Sequence, residues 1–198
     1  MSENSAINIS EYRQPEHPIN PLILGRWSPR ALSGEPLTAE ELMSLFEAAK
    51  WAPSSSNQQP WRFIYARRDT PAWSKLFSLL TPSNQEWTQR AAALIVIVSQ
   101  QVFPAGPSRT ASFVTGAAWE NLALEASGRG LVAHAMSGFD YDRAKIELKV
   151  PDDYKVEAMA AVGRPGDKEQ LPERHRKWEF PSGRKSLHEI ISEGEFRF

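Results

Sequence analysis

The chain has 198 residues, 41% hydrophobic and 24% charged, a length and balance that fit one globular domain with a sizeable core. Its 23 basic and 24 acidic residues leave a net charge of -1, which gives no electrostatic reason to expect nucleic acid or a membrane surface as partner. Cysteine is absent, which excludes disulfides, thiolate metal sites and redox-active dithiols, so any electrons the protein handles must reside on a bound cofactor.

Residues 1–19 are polar and aperiodic and read as an N-terminal arm, either mobile or strapped onto a partner subunit; residues 20–198 read as a single domain. No basic n-region leads into an apolar core, and the longest apolar run, Ala91 to Val98, is too short to span a bilayer, so a cytoplasmic location is expected. A short apolar segment, Asn20 to Leu24, leads into Arg26-Trp27-Ser28-Pro29-Arg30. On a helical turn Arg26 and Arg30 would share a face at i, i+4 with Ser28 between them. Two guanidinium forks beside a hydroxyl suit a phosphate, because planar forks bind its oxygens bidentately; a solvated basic turn is the alternative.

Thr38 and Glu41 have the spacing of a capping box, and Leu42, Leu45, Phe46 and Ala49 follow at the interval of one buried helix face, which predicts a helix over 38–51. Pro53 ends that helix by disfavouring helical geometry at Ala52. The run that follows, Pro53-Ser54-Ser55-Ser56-Asn57-Gln58-Gln59-Pro60-Trp61, carries no charge. Ser and Asn side chains can fix such a loop by bonding the local backbone, and Pro60 is expected to hold Gln59 extended as a strand begins over 62–66. The loop offers neutral donors and acceptors to a flat, uncharged ligand edge; an ordinary polar helix-to-strand turn is the alternative.

A second helix is predicted over 71–80, then a polar stretch containing Asn84 and Trp87. Ala93 to Val98 reads as a central strand buried on both faces. Residues 100–112 read as a loop bordering the site. The helix predicted over 111–127 is near-continuously apolar, which fits either intersubunit packing or the centre of a monomer core; Gly128 and Gly130 stop it. A strand over 131–136 feeds Ser137-Gly138-Phe139-Asp140, where Gly138 allows close backbone approach and Asp140 caps a helix through Leu148. A turn over 150–154, a buried strand over 156–163 and a charged loop over 164–181 precede the closing Ser182-Gly183-Arg184-Lys185-Ser186-Leu187-His188-Glu189-Ile190-Ile191.

Several chemistries lack their residues. No G-x-S-x-G occurs for a nucleophile elbow, and Gly128-Arg129-Gly130 stands at the wrong end of a helix for a dinucleotide loop. His17, His134, His175 and His188 are scattered, so no metal site is expected.

Together, Arg26-x-Ser28-x-Arg30, the block Ala48-Ala49-x-x-Ala52-Pro53-Ser54-Ser55-x-Asn57-x-Gln59-Pro60-Trp61 and the basic pair before Leu187-x-Glu189-Ile190-Ile191 resemble the nitroreductase family of FMN-dependent oxidoreductases. The resemblance runs from about Pro21 to Ile191, and Trp27 departs from the basic or polar residue the family often has there. It implies an α+β fold, a mixed, mainly antiparallel sheet flanked by helices, and an intertwined homodimer with FMN in two interface sites. Arg26 and either Arg184 or Lys185 would hold the phosphate, with Trp27 within the same segment, Ser28 on the ribityl chain and Arg30 near the pyrimidine end of the ring. Pro53, Ser54, Ser55 and Asn57 would reach the partner's flavin, and Asn84 would be a flavin contact or a loop cap. Ser137 and Gly138 would set a backbone N–H near flavin N5, with no certain catalytic side chain. The implied activity is ping-pong hydride transfer from NAD(P)H through N5 to a small oxidant such as a nitroaromatic or quinone. A specialised member (dehalogenase, ene-type reductase or flavin-modifying enzyme) and a non-catalytic flavin-binding protein are the alternatives.

Overall fold

The computed structural model describes residues 7–198, so the first six residues of the expected arm lie outside it. Within the described part of the arm, a 3-10 turn at Ile9–Glu11 is capped by the Asn8 side chain. A five-residue helix α1 (Pro21–Gly25) follows, with Asn20 as its cap and Pro21 at its first position, where a missing N–H costs nothing. Helix α2 (Ala39–Lys50) carries the expected capping box: Thr38 Oγ1 accepts the Glu41 N–H at 3.1 Å while Glu41 Oε2 accepts the Thr38 N–H at 2.8 Å.

The centre is one four-stranded sheet of β1 (Trp61–Arg67), β2 (Ala93–Gln100), β5 (Val132–Met136) and β6 (Tyr154–Gly163), in the order β1-β2-β6-β5 with every neighbour antiparallel. The apolar run is the interior strand β2, buried from Ala93 to Ser99, with Ile95 opposite Tyr65 and Ala160. Alternation sends Leu94, Val96 and Val98 to one face and Ala93, Ile95 and Ile97 to the other, so the sheet divides two cores. Helices α2 and α5 (Ala111–Gly128) cover the second face. Residues of α3 (Ala72–Ser78), α4 (Pro82–Thr88) and α6 (Tyr141–Glu147) join the first, through Leu76, Trp87 and Ala144. Asp140 caps α6 as expected, accepting the Arg143 N–H at 2.9 Å.

Four local expectations change. The stretch 26–30 is not a helical turn: α1 stops at Gly25 and Arg26 is extended (φ -67°, ψ 124°), since Pro29 disfavours helical geometry at Ser28 and brings no N–H. Gln59 is not extended but has φ 49°, because its N–H turns back to Ser54 Oγ at 3.0 Å. The polar stretch with Asn84 and Trp87 is helix α4, begun by Pro82. The loop regions also hold structure, a two-residue hairpin of β3 (Val102–Phe103) and β4 (Gly106–Pro107) and, later, α7 (Glu173–Arg176).

Helix α5 packs only part of its surface. Ala118, Leu122 and Ala126 are buried against α2 and the sheet, while Gly116 is exposed and Phe113 is 81% exposed.

Candidate functional site

Three segments carry the predicted site residues, and each has its own means of fixation. The first is the extended stretch 26–30, where the Arg26 guanidinium reaches the Ser28 hydroxyl at 3.5 Å. Its backbone is held from three directions. Glu179 accepts the Arg30 N–H at 2.9 and 3.0 Å and the Ala31 N–H at 2.8 Å. His134, on β5, donates its Nδ1–H to the Pro29 carbonyl at 2.9 Å. The chain after β6 pairs with the stretch's continuation, Ser33 N–H to Arg164 O at 3.0 Å and Gly166 N–H to Ala31 O at 2.9 Å, an approach so close that a Cβ on Gly166 would lie 2.4 Å from the Leu32 carbonyl carbon.

Arg13, in the segment read as an arm, is buried to 9% exposure and ties this stretch to the C-terminal basic segment. Its Nε donates to Ser182 O at 2.9 Å and its Nη1 to Leu24 O and Arg26 O at 2.7 Å each. Carbonyls satisfy its donors without neutralising its charge, and among the described residues no carboxylate pairs with it. Burial, then Arg184, then Arg26 push its pKa below the ordinary arginine value, so three guanidiniums converge here. One carboxylate offsets them, Glu120 of α5, whose Oε1 lies 3.2 Å from Arg26 Nε. Such a donor set fits a dianionic phosphate. Both members of the terminal pair are exposed: Arg184 Nη1 donates to Ser182 O at 3.3 Å, the carbonyl that Arg13 also uses, while Lys185 enters no hydrogen bond or ion pair among the described residues. Trp27 is half-buried, and Arg30 lines a cleft of about 520 Å³ with Trp87, Glu86 and Arg90.

The second segment is the Ser137–Gly138 turn. Gly138 O accepts from the Thr81 N–H at 3.0 Å and from Asn84 Nδ2 at 2.9 Å. A Cβ on Gly138 would stand 2.6 Å from Asn84 Nδ2, so only glycine admits that amide. The Gly138 N–H enters no hydrogen bond among the described residues and is left as a donor. Asn84 spends its other end on Trp87, accepting the indole N–H at 3.2 Å. These two bonds make Asn84 a cap on the Gly138 turn.

The third segment is the neutral loop. Ser56 and Asn57 have φ of 50° and 53°, left-handed backbone that Ser54 Oγ and the Gln59 amide, donating to Asn57 O at 3.1 Å, hold in place. Pro53, Ser55 and Asn57 are exposed, and among the described residues no hydrogen bond links this loop to the guanidinium cluster.

Sequence reasoning misses Arg13, His134 and Glu179. Arg13 carries no local signal. His134 follows the β5 alternation onto the face where Trp87 packs, and Glu179 is a lone carboxylate among Trp178, Phe180 and Pro181, which is the signal of a buried acid. Burial lowers the His134 pKa to about 4; the Pro29 and Ser28 carbonyls oppose this, while Arg30 and Arg26 add to it, so the ring is neutral. Burial raises the Glu179 pKa against the pull of the Ala31 and Arg30 N–H groups. Among the described residues no group of histidines and carboxylates could hold a metal, and no helix is long and apolar enough to cross a membrane.

The fold defines a class of protein, an α+β chain with helices packed on an antiparallel sheet. The chain belongs to the nitroreductase family, whose sequence profile matches residues 23–72 and 70–164. It is similar to a crystal structure described as an oxidoreductase containing FMN, with 44% identity over 93% of this chain and 96% of that one and a TM-score of 0.90. A structure from Desulfovibrio desulfuricans in complex with FMN is 26% identical over 92% of this chain and 100% of that one, with a TM-score of 0.70. A Rhodopseudomonas palustris protein provisionally named NADH dehydrogenase/NAD(P)H nitroreductase is 26% identical, over 84% of this chain and 94% of its own length.

Proposed function

We propose that the protein is an FMN-dependent oxidoreductase that passes reducing equivalents from NAD(P)H to a small oxidant such as a nitroaromatic or quinone, donor and oxidant occupying the same place in turn. The observation that carries this reading is the convergence of Arg13, Arg26 and Arg184 beside Ser28 with a single carboxylate to offset them. The similarity to FMN-containing structures supports it, and the name of the Rhodopseudomonas palustris relative supports NAD(P)H as donor.

FMN, when bound, supplies hydride acceptance and donation at ring N5. Arg26 and Arg184 or Lys185 would hold its phosphate, Arg13 would add positive charge, and Ser28 would bond the ribityl chain. Arg30 would bring positive charge to the pyrimidine end of the ring, and the Gly138 N–H, which has no partner among the described residues, would serve as a donor to the ring. The residues position and polarise; no side chain has to relay a proton.

The reading includes a homodimer. Ser55 and Asn57 are exposed and, among the described residues, make no hydrogen bond to their own chain's guanidinium cluster, while α5 leaves Phe113 in solvent; in this reading a second copy supplies the loop and covers the helix. The test is chromatography of the chromophore released from the denatured protein, with NADH and NADPH added to the native protein to see which bleaches it. Recovery of FMN and bleaching are expected; no flavin, and no uptake of added FMN at about micromolar concentration, would overturn the reading.

A further inference from the structure

Between the stretch 26–30 and the Gly138 turn runs an unbroken line of contacts made by residues that belong to neither. It starts at the Pro29 carbonyl, which accepts from His134 Nδ1 at 2.9 Å. The imidazole packs on the Trp87 indole, with ring centroids 4.7 Å apart and planes tilted by 38°. Trp87 donates its Nε1–H to Asn84 Oδ1 at 3.2 Å, and Asn84 Nδ2 donates to Gly138 O at 2.9 Å.

We propose that His134, Trp87 and Asn84 form a positioning relay that couples the phosphate-binding stretch to the Gly138 turn, so that the two ends of the flavin site keep a fixed separation. The proposal deepens the flavin reading above and rests on it.

The chemistry of each member leaves little freedom. An indole N–H can only donate, so it selects the amide oxygen of Asn84 and turns the amide nitrogen toward Gly138. The Pro29 carbonyl can only accept, so it selects the Nδ1–H tautomer of His134. Trp87 is 2% exposed and cannot rotate without opening the core, so a displacement at either end is transmitted as a rigid shift rather than absorbed. Gly138 is shaped for the contact, because any Cβ there would displace Asn84. None of the three side chains needs to touch the ligand.

The test compares holoprotein of the wild type, His134→Phe, His134→Gln and Trp87→Phe by two readouts, the FMN dissociation constant and the midpoint potential of the bound flavin. His134→Phe keeps a buried ring and removes the donor to Pro29; it is expected to weaken FMN binding about tenfold and also to move the potential, although His134 is bonded only to the phosphate-side stretch. His134→Gln, whose amide N–H can still reach the carbonyl, is expected to recover most of both. Trp87→Phe removes the indole N–H together with part of a buried ring; it is expected to shift the potential and weaken FMN binding by a smaller factor. Weakened binding with an unchanged potential in His134→Phe would reduce His134 to a local anchor and overturn the relay, as would wild-type values in both readouts. Should His134→Phe fail to fold, Trp87→Phe decides alone, and wild-type values there overturn the proposal. A wild-type protein that takes up no FMN overturns the flavin reading and the relay with it, whereas a flavin-loaded wild type with unaffected variants overturns the relay only.

Discussion

The Glu179 carboxylate accepts the Ala31 backbone N–H at 2.8 Å across 148 residues of chain, and the same carboxylate takes the Arg30 N–H. At 7% exposure it replaces water for two amides that the extended course of 26–30 would otherwise leave bare. Replacing Glu179 with alanine should therefore destabilise the fold by about 3 kcal/mol, the cost of lost charge-assisted bonds plus stranded donors. Urea titration of the two proteins measures it; a loss within experimental error would show that water reaches those amides.

Arg26→Ala should weaken FMN binding by roughly 1.5–3 kcal/mol while leaving the fold intact, the range for a charged hydrogen-bond partner. The measurements are FMN affinity by fluorescence quenching and far-ultraviolet circular dichroism. Loss of the partner for Glu120 costs little by comparison, since that carboxylate is well exposed. Unchanged affinity would make Arg26 a structural partner of Glu120 and not a phosphate ligand.

Acid should destabilise the protein through His134. Its folded-state pKa is lowered from 6.5 to about 4, so between those values the unfolded chain binds the proton that the folded chain refuses. Stability is complete above 6.5 and falls as pH drops toward 4, by up to about 3 kcal/mol in all. Glu179, with its raised pKa, acts in the opposite sense: its contribution is complete at low pH and fades as pH rises above 4.5. The difference between wild type and His134→Gln isolates the histidine. Parallel stability curves for the two proteins from neutral pH to pH 4 would mean that His134 stays hydrated.

The homodimer should hold at about micromolar concentration and bury on the order of 2,000 Å² or more in total. Sedimentation velocity of the dilute protein, with and without FMN, is the measurement. Phe113→Asp should favour the monomer and reduce FMN retention together, because one contact surface and the loop bearing Ser55 and Asn57 then leave together. A folded monomer that keeps its FMN would show that the loop serves its own chain.

What the sequence determined by itself is everything governed by near neighbours. The capping box at Thr38 and Glu41, the double-sided burial of 93–98 and the Asp140 cap all follow from side-chain period and backbone sterics within a few residues, whereas the need for glycine at 138 is set by Asn84, which approaches from 54 residues away. The residue types proposed for the phosphate site, Arg26, Ser28 and either Arg184 or Lys185, were legible too. Only the tertiary structure decided how those groups meet. The extended course of 26–30 depends on Glu179 and His134, which hold it from far along the chain. Arg13 gathers the carbonyls of residues 24, 26 and 182 into one contact, which no local pattern encodes. Long-range hydrogen bonds of this kind leave no periodic trace, because each involves one side chain and a backbone atom present at every position.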